Sequence, residues 1–361
     1  MKYKFLIYIS YSYAIPIGNP LEKEIKKRGY TVHWFSDLKD GTKALQHKNN
    51  TFNTIEDVID YNPDIILTAT DSVPDFLRGL KVQIFHGFNA EKRTFKKDHF
   101  RIRGLFDLYC TQGPSTTSIF KNIAKKRKHF DVIETGWSKV DPLFPISKNS
   151  KKNIPTIFIA STFTERLSLA HNDDVFNEIK KLTNSGDYNF LMVLHPKIPL
   201  DIVNKWKSLN SENFTFYDTT DLIPLFKKAD IMFADTTSAI QEFGLQEKPI
   251  ITFNHYKPKP YLINITEASQ IKSAFDNTLL NPSEIIKELA SFNNNLHPYF
   301  DGKSSVRVID ACISFLHKDK RYLKNKPINL VRKYKIRKRL GYFTFKSFNR
   351  PFTLELKNNN D

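Results

Sequence analysis

The sequence predicts an α/β fold made of two doubly wound parallel sheets, and three observations carry this prediction. Short apolar runs rich in Ile, Val, Phe and Tyr alternate with helical segments in residues 3–136 and again in residues 156–253. Strands that are apolar throughout are typical of parallel sheets with helices on both faces. A polar, basic stretch closed by a proline, residues 147–155, separates the two series as a linker would. The length of 361 residues also suits two domains.

The first series contains six apolar runs, which predict the strands of one sheet. They are residues 3–9, 31–35, 63–69, 81–85, 106–110 and 130–136. Helices are expected between them at residues 19–29, 54–61 and 114–126. Gly29 ends the first of these helices and Pro114 begins the last, which are the positions that favour each residue type.

The second series repeats the alternation. Its predicted strands are residues 156–160, 188–195, 213–218, 230–235 and 249–253. Its predicted helices are residues 173–184, 200–209, 221–229 and 237–246, followed by closing helices at 282–292 and 305–318. The elements divide the chain into a first domain, 1–148, a second domain, 149–318, and a C-terminal tail, 319–361.

The net charge of +17 is unevenly placed and is concentrated in the tail. Thirteen Lys and Arg residues fall between residues 318 and 350, where Asp319 is the one acidic residue. Aromatic residues interleaved with them include Tyr334, Tyr342, Phe343, Phe345 and Phe348. Cations attract an anionic partner, and aromatic side chains settle at the headgroup level of a bilayer. An anionic membrane surface is therefore the expected partner of the tail. A polyanionic product, or a solvated tail without a specific role, is the alternative.

Several classes of protein are disfavoured by features of the whole chain. Cys110 and Cys312 lie far apart in the sequence, which excludes a disulfide framework and suits a reducing cytosol. The apolar run after Lys2 and Lys4 contains tyrosines and lacks a small-residue cleavage site, so a core strand is expected there rather than a signal peptide. No segment reaches the roughly 18 apolar residues of a spanning helix. Charge alone suggests nucleic-acid binding, but no reading module accompanies it, so nucleic acid is not an expected partner.

Two histidines directly follow apolar runs. His86-Gly87 ends the segment "IFHGF", and His195-Pro196 ends "MVLHPK", where Lys197 adds a cation. A residue after a parallel strand lies at the carboxyl edge of the sheet, where α/β folds bind their ligands. Gly87 is expected to allow a sharp turn and to leave space for a ligand. An imidazole can accept a proton near neutral pH, so His86 and His195 are predicted to face a shared cleft. A structural role for each histidine is the alternative.

A third feature is the run of hydroxyl residues after the strand that ends in Asp235. Thr236, Thr237 and Ser238 stand where the next helix begins. Hydroxyls and backbone N–H groups at a helix N-terminus form a cradle for phosphate oxygens. An ordinary helix cap needs only one such residue, so the run favours a phosphate site. Asp235 itself does not suit phosphate and would instead contact a base, a sugar hydroxyl or one of the histidines.

Weaker candidates lie in two other segments. Thr162, Thr164 and Arg166 follow a strand and could donate to a diphosphate, and Lys92 and Arg93 follow His86 closely. The chain has no GxGxxG, no GxxxxGK[ST], no HExxH and no cluster of Cys and His. Nicotinamide binding, P-loop chemistry and zinc hydrolysis are therefore disfavoured, and neither a cofactor nor a metal is expected.

In their order along the chain, several segments resemble the CDP-glycerol glycerophosphotransferases of teichoic acid synthesis. The segments are "FHGF", "TGWSKVDPLF", "IASTFTE", "LHPK", "ADTTSAIQEFGLQEKPIITF" and "YFDGKSSVRVID", and they run from about residue 80 to residue 312. The resemblance implies a GT-B-like architecture, with an acceptor-side domain at 1–148 and a nucleotide-donor domain at 149–318. Lys139 stands where the family usually has arginine, and "DTTS" stands for Asp-Tyr-Ser-Ser, which leaves the transferred group open.

The resemblance also implies roles for individual residues. His86 matches the family's base on the acceptor hydroxyl, and His195 matches the residue that stabilises charge at the diphosphate. Asp235, Thr237 and Ser238 match the element that holds the donor's phosphates. The remaining candidate binding residues are Gly87, Lys92, Thr162, Arg166, Lys197, Thr236 and Ser304.

The expected activity is transfer of glycerol phosphate, or a related polyol phosphate, from a CDP-activated donor to a hydroxyl of a membrane-linked cell-wall or capsule acceptor, with release of CMP. The expected location is the cytoplasmic face of the cell membrane, held there peripherally. A GT-B glycosyltransferase that uses a nucleotide sugar is the close alternative, and a catalytically inactive scaffold of the same fold is a further one.

Overall fold

The computed structural model describes residues 2–88, 99–146 and 153–354, and these ranges contain two parallel sheets of six strands each. The strands of the first sheet are β1 (Lys4–Ile9), β2 (Thr31–Ser36), β3 (Ile65–Thr68), β4 (Leu80–Gln83), β5 (Leu108–Thr111) and β6 (Asp131–Glu134). Their order across the sheet is β2-β1-β3-β4-β5-β6, and neighbouring strands are parallel throughout. The predicted first sheet is confirmed.

The second sheet has the same construction. Its strands are β7 (Thr156–Ser161), β8 (Asn189–Leu194), β9 (Phe214–Phe216), β10 (Ile231–Ala234), β11 (Ile250–Phe253) and β12 (Ile263–Ile265). The order is β12-β11-β10-β7-β8-β9, again with parallel neighbours. The sequence predicts five of these strands. The sixth, β12, is only three residues long, and the sequence analysis missed it.

Helices connect the strands of both sheets. They are α1 (Ile15–Lys27), α2 (Lys39–Leu45), α3 (Ile55–Tyr61), α4 (Pro114–Arg127), α5 (Asp173–Ser185), α6 (Leu200–Lys207), α7 (Ile223–Lys228), α8 (Ala239–Gly244), α9 (Ile271–Leu280), α10 (Ser283–Leu296), α11 (Ser304–His317) and α12 (Leu330–Leu340). The sequence analysis missed α2, α9 and α12. None of the helices in the described part of the chain is long and apolar enough to span a bilayer.

Each sheet buries its own apolar core. In the first, Leu6, Tyr8 and Ile66 pack with aromatic residues such as Phe106 and Phe120. The core around the second sheet has the same character and includes Ile157, Phe190, Met192, Trp206 and Phe233. The central strands β3, β7 and β10 are buried at every residue, which is typical of parallel strands that are covered on both faces.

The boundary between the two compact units differs from the predicted one. The first unit comprises residues 1–142 and 296–361, and the second comprises residues 143–295. Residues 296–318, which the sequence analysis assigned to the second domain, pack with the first, because α11 lies against α1, β4 and β5. A segment that returns to an earlier domain leaves no signal in the local pattern of apolar residues.

The C-terminal tail folds onto the first unit through buried ion pairs. Arg337, in α12, contacts the Asp75 carboxylate at 2.6 Å, and both side chains are buried. Lys326 pairs with Asp107 at 2.6 Å, again with both groups buried. A buried charge that loses its partner destabilises a fold strongly, so these pairs fix the path of the tail. Part of the positive charge predicted to attract an external partner is therefore neutralised within the molecule.

Candidate functional site

An unusual backbone turn places His86 at the carboxyl edge of the first sheet. Phe85 has a φ of 58°, in the left-handed region that a non-glycine residue rarely adopts. The Phe85 N–H donates to Gln83 Oε1 at 3.3 Å, and the Trp137 indole N–H donates to the Phe85 carbonyl at 3.2 Å. Strained backbone that is held by such contacts is typical of functional sites. The Phe85 ring is buried, whereas His86 is exposed.

The main chain fixes one ring nitrogen of His86. Nδ1 lies 3.3 Å from the carbonyl oxygen of Ala69, and because a carbonyl only accepts, Nδ1 carries the proton. The lone pair of the neutral ring is then on Nε2. Among the described residues, Nε2 has no hydrogen-bond partner. The neutral imidazole is thus arranged to accept a proton through Nε2.

Residues that the sequence analysis missed border His86. The Tyr13 ring lies 5.6 Å from the His86 ring, and it stacks on Tyr11 at 5.4 Å. Burial, and after it the charges of Tyr11 and Asp71, raises the pKa of Tyr13 to about 12, so its hydroxyl stays protonated at neutral pH. Arg103 contacts Asp71 at 2.9 Å. The only sequence signal for Tyr11 and Tyr13 is "YSYA", directly after the first strand.

The predictions for the residues that follow His86 differ in how they compare with the structure. Gly87 does not lie in the left-handed region, and the turn is made at Phe85, so the predicted turning role of Gly87 is wrong. A Cβ added at Gly87 would meet no described atom within 4 Å, which agrees with the expected space beside the imidazole. Lys92 and Arg93 lie outside the described residues.

His195 lies at the carboxyl edge of the second sheet, and its Nδ1 accepts a hydrogen bond, whereas the Nδ1 of His86 donates one. It follows β8 directly, and the backbone N–H of Lys197 donates to its Nδ1 at 3.1 Å. Nδ1 is therefore the acceptor, and the neutral ring carries its proton on Nε2. An N–H at this position suits a negatively charged oxygen.

An exposed aromatic ring lies beside His195. Phe163, which follows β7, has 45 % of its surface exposed, and its ring lies 4.6 Å from the ring of His195. The Lys197 ammonium lies 5.3 Å from the centre of the Phe163 ring, within range of a cation–π contact. His195 and Lys197 therefore form one basic group around Phe163.

The buried side chain of Asp235 supports the carboxyl edge of the second sheet through hydrogen bonds. Its side chain is fully buried and accepts hydrogen bonds from Ser161 Oγ at 2.5 Å and from the N–H groups of Thr162 and Leu169 at 2.9 and 3.0 Å. A buried carboxylate that accepts these bonds does not contact phosphate, whose negative charge would also repel it. The predicted contact between Asp235 and the donor is therefore wrong. Asp235 instead holds the loop after β7 in shape.

The three hydroxyls after β10 differ in their surroundings. Thr236 is buried, and its Oγ1 accepts from the N–H of Tyr256 at 3.0 Å. Thr237 Oγ1 accepts from the N–H of Ala239, the first residue of α8, at 3.4 Å. Ser238 is exposed. Thr237 and Ser238 thus remain candidates for contact with a ligand, whereas Thr236 ties the edge to the loop after β11.

Two other predicted donors lie in the loop after β7. Thr162 is buried, and its N–H is directed to Asp235. Arg166 is exposed, so its guanidinium is accessible to an anion. Of these two side chains, Arg166 is the stronger candidate for a contact with phosphate.

The sequence analysis also missed His255, which follows β11. The backbone N–H of Lys257 donates to His255 Nδ1 at 3.1 Å, as the Lys197 amide does at His195, and the backbone N–H of His255 donates to Asn264 Oδ1 at 2.9 Å. Both histidines occur as His-x-Lys after a strand, in "LHPK" and "NHYK", and this repeat is the signal that could have found His255. The strands β8, β7, β10 and β11 are consecutive neighbours, so their ends span about 14 Å.

Groups that can donate to an anion gather at the carboxyl edge of the second sheet. The side chains of Arg166, Lys197 and Ser238 are exposed, and those of His195, Thr237 and His255 are half-buried. Within residues 2–88, 99–146 and 153–354, no three His, Cys, Asp or Glu side chains are grouped as ligands of a metal ion. The edge can hold the oxygens of a phosphate or diphosphate.

Ser304 is buried in the first unit and has a structural role. The N–H groups of Ser304 and Ser305 donate to the Asp141 carboxylate at 2.8 and 2.7 Å. A helix N-terminus attracts an anion, and at α11 that anion is the Asp141 side chain. Gly136 has a φ of 79°, and a Cβ there would lie 2.4 Å from Ser304 Oγ. The predicted ligand-binding role of Ser304 is therefore wrong.

Comparison with known proteins identifies the fold. No family model and no curated protein matches the chain. Solved structures do match it, among them a candidate UDP-N-acetylglucosamine 2-epimerase from Listeria monocytogenes, with 16% identity and a TM-score of 0.62 over 87% of this chain and 96% of that one. MnaA from S. aureus, solved with UDP, has 14% identity and a TM-score of 0.60 over 90% and 99% of the two chains.

The wall teichoic acid polymerase TagF is similar to the same degree. It has 14% identity and a TM-score of 0.60 over 86% of this chain and 88% of the TagF chain. At such low identity these likenesses show the fold alone. The fold is GT-B-like, as predicted, and it is shared by enzymes of at least two kinds.

Proposed function

We propose that the chain is a transferase that moves glycerol phosphate, or a related polyol phosphate, from a CDP-activated donor to a hydroxyl of a membrane-linked cell-wall or capsule acceptor. One observation carries the proposal. The two histidines at the strand ends are held by opposite contacts, so that Nε2 of His86 has a lone pair and Nε2 of His195 has a proton. Transfer from a diphosphate needs one group of each kind.

His86 is the base in the proposed step. Its Nε2 takes the proton of the acceptor hydroxyl while the acceptor oxygen attacks the phosphorus that carries the glycerol. The bond between this phosphorus and the bridging oxygen breaks, and CMP leaves with the electron pair. Removing a positioned general base typically costs about 10²- to 10⁴-fold in rate.

His195 acts on the leaving group. Its Nε2–H donates to the diphosphate, where negative charge grows as CMP departs, and the Lys197 ammonium adds positive charge nearby. Thr237, Ser238 and Arg166 supply further donors at the same edge. Donors that are already in place where charge develops stabilise a transition state without reorganisation. The shared cleft for His86 and His195 stays a prediction and is part of this proposal.

The comparisons supply context for the donor. TagF was solved after soaking with CDPG, and MnaA was solved with UDP. Both compounds contain a nucleoside diphosphate, which supports a nucleotide-diphosphate donor for this chain. A nucleotide-sugar glycosyltransferase and a UDP-sugar epimerase are the alternatives that the test has to exclude.

The tail supports docking at the inner face of the cell membrane. In α12, Lys333 and Arg337 are buried beside Asp75, whereas Leu330 and Val331 are each 71% exposed. Further exposed apolar residues of the tail include Ile328, Tyr334, Phe343 and Phe345. An exposed apolar face among Lys and Arg residues binds anionic bilayers. This docking would bring a membrane-linked acceptor to the enzyme.

A donor screen tests the activity. The purified full-length chain is incubated with CDP-glycerol, CDP-ribitol, UDP-N-acetylglucosamine or UDP-glucose, each with an extract of lipid-linked acceptors. We expect release of CMP from a CDP-polyol and incorporation of its label into the lipid fraction. Release of UDP, or conversion of UDP-N-acetylglucosamine to its 2-epimer, with no release of CMP, would overturn the proposal.

A further inference from the structure

A cavity of about 980 Å³ opens at the amino edge of the first sheet. Its wall is formed by residues that precede β3, by the start of β4 and by the C-terminal segment 346–353. Lys81, near the start of β4, lines the cavity, whereas His86 follows the other end of the same strand. Five residues of extended chain correspond to about 16 Å, so the cavity is separate from the candidate functional site.

The charge of the wall is positive. The basic residues that line it are Arg78, Lys81, Lys326, Lys346 and Arg350. No Asp or Glu is among the described residues of the wall. A concave surface that is lined by charges of one sign concentrates ligands of the opposite sign.

Lys81 is the unusual member of this group. It is 1 % exposed, and its ammonium donates to the carbonyl oxygen of Leu77 at 2.6 Å. In the described part of the chain, no carboxylate lies within ion-pair distance of this ammonium. Burial, and after it the charge of Lys326, lowers the pKa of Lys81 to about 7.

The carboxylates nearest to this region already have cationic partners. Asp75 pairs with Arg337 at 2.6 Å and with Lys333 at 3.4 Å, and Asp107 pairs with Lys326. Together with Lys81, four buried cations therefore face two carboxylates. Burying a cation without a counter-ion is costly, so the group either loses its proton or gains an external anion.

Apolar surface occupies much of the remaining wall. It comes from Val58, Ile59, Phe76, Leu77, Phe348 and Phe352. Small ligands bind in concave sites where apolar walls surround a few polar groups. A fully hydrated anion would leave this apolar surface unused, whereas an anion joined to an apolar chain would cover it.

We propose that the cavity binds an anionic amphiphile, with a phosphate-type headgroup beside Lys81 and an apolar chain along Phe76 and Phe348. Arg350 and Lys346, on the exposed rim, contact the headgroup from the solvent side. The bound anion supplies the negative charge that the buried cations lack. This site is independent of the proposed transfer reaction, and its test needs no turnover.

Calorimetric titration of the full-length protein tests the proposal, with dihexanoyl phosphatidic acid below its micelle concentration as the probe. Dihexanoyl phosphatidylcholine and inorganic phosphate are the two comparison ligands. We expect phosphatidic acid to bind at least about tenfold more tightly than either, because only it offers both a net charge and an apolar chain. At pH 8, binding should also take up as much as about one proton, since a neighbouring anion raises the pKa of Lys81. Buffers of different ionisation enthalpy measure this uptake.

Three variants assign the binding to the cavity. Lys81→Met removes the buried charge at similar volume and should abolish the proton uptake and weaken binding at least about tenfold. Arg350→Gln, on the exposed rim, should weaken binding about threefold or more without disturbing the fold. Lys335→Gln removes one exposed charge from α12 outside the cavity and is the matched control.

Three results would overturn the proposal. Equal affinity for phosphatidylcholine removes the anion requirement, and equal affinity for inorganic phosphate removes the apolar part. A loss in Lys335→Gln as large as that in Arg350→Gln shows a general attraction to the basic surface. Thermal unfolding of each variant confirms that it is folded.

Discussion

The two sheet edges carry a histidine in the same place and differ in how its ring is held. His86 donates through Nδ1 to the Ala69 carbonyl, whereas His195 accepts through Nδ1 from the Lys197 amide. Because a neutral imidazole has one N–H and one lone pair, the opposite contacts leave opposite groups on Nε2. A shared sequence pattern thus places both histidines at a strand end, while the neighbouring backbone decides what each ring can do.

The largest effect is expected at His86. The variants His86→Ala and His86→Gln should both lower kcat by about 10²- to 10⁴-fold, because neither side chain can accept a proton from an alcohol. KM for the CDP-activated donor should change little, since the proposed contact of His86 is with the acceptor. Steady-state assay of CMP release measures both constants.

His47→Ala is the control for this comparison, because His47 is an exposed histidine away from the strand ends. It should retain normal kcat and KM. If His86→Gln keeps more than a tenth of the wild-type kcat, His86 is not the base.

At His195 we expect the Ala and Gln substitutions to differ in their effect on kcat. His195→Ala should lower kcat by about 10²- to 10³-fold, the typical cost of a missing donor to developing negative charge. His195→Gln keeps an N–H near the place of Nε2 and should recover at least about tenfold of that loss. The assay of CMP release that is used for the His86 variants gives the comparison.

If Gln restores kcat relative to Ala equally at both positions, the assignment of opposite roles is contradicted. If Gln restores kcat at His86 but not at His195, the two roles are exchanged. The difference between the two histidines in their response to Gln, rather than either loss alone, therefore distinguishes a base from a donor.

The sequence was sufficient for eleven of the twelve strands because each of them lies in a short run that is mainly apolar. β7, "TIFIAS", and β10, "IMFA", have few other interpretations between helical segments. It was insufficient for α12, "LVRKYKIRKRL", in which the buried residues include Lys333 and Arg337. Their burial depends on Asp75, which lies more than 250 residues earlier in the chain. A local pattern of apolar residues cannot predict such a partner.

The same reason explains the errors at the site. Asp235 and Ser304 occur beside hydroxyls and next to helices, which is a pattern that suits phosphate. Their actual partners come from distant segments, Ser161 and Leu169 for Asp235, and Asp141 for Ser304. The positions of the histidines were predictable because a strand end is a local feature. The ring contacts were not, since they depend on backbone groups whose positions only the folded chain defines.

At the carboxyl edge of the second sheet, substitution of Asp235 should affect mainly stability, whereas substitution of Thr237 should affect mainly donor binding. Asp235→Ala should lower the free energy of unfolding by roughly 2–4 kcal/mol, because Ser161 and the N–H groups of Thr162 and Leu169 lose a buried acceptor. Thr237→Ala should leave stability within about 0.5 kcal/mol and raise KM for the donor up to about tenfold. Chemical denaturation and steady-state kinetics measure the two effects. A stable Asp235→Ala variant with a raised KM would restore Asp235 as a ligand residue.

The smallest effect is expected at Gly87, the residue behind His86. Gly87→Ala should change the free energy of unfolding by less than about 0.5 kcal/mol, because the added methyl meets no described atom within 4 Å and the backbone is not left-handed. Gly136→Ala is the matched control and should cost roughly 2 kcal/mol or more, since φ is 79° and the methyl would lie 2.4 Å from Ser304 Oγ. If the space beside His86 receives the acceptor, Gly87→Ala will raise KM for the acceptor a few-fold while stability is unchanged. An unchanged KM would show that the acceptor approaches His86 from another side.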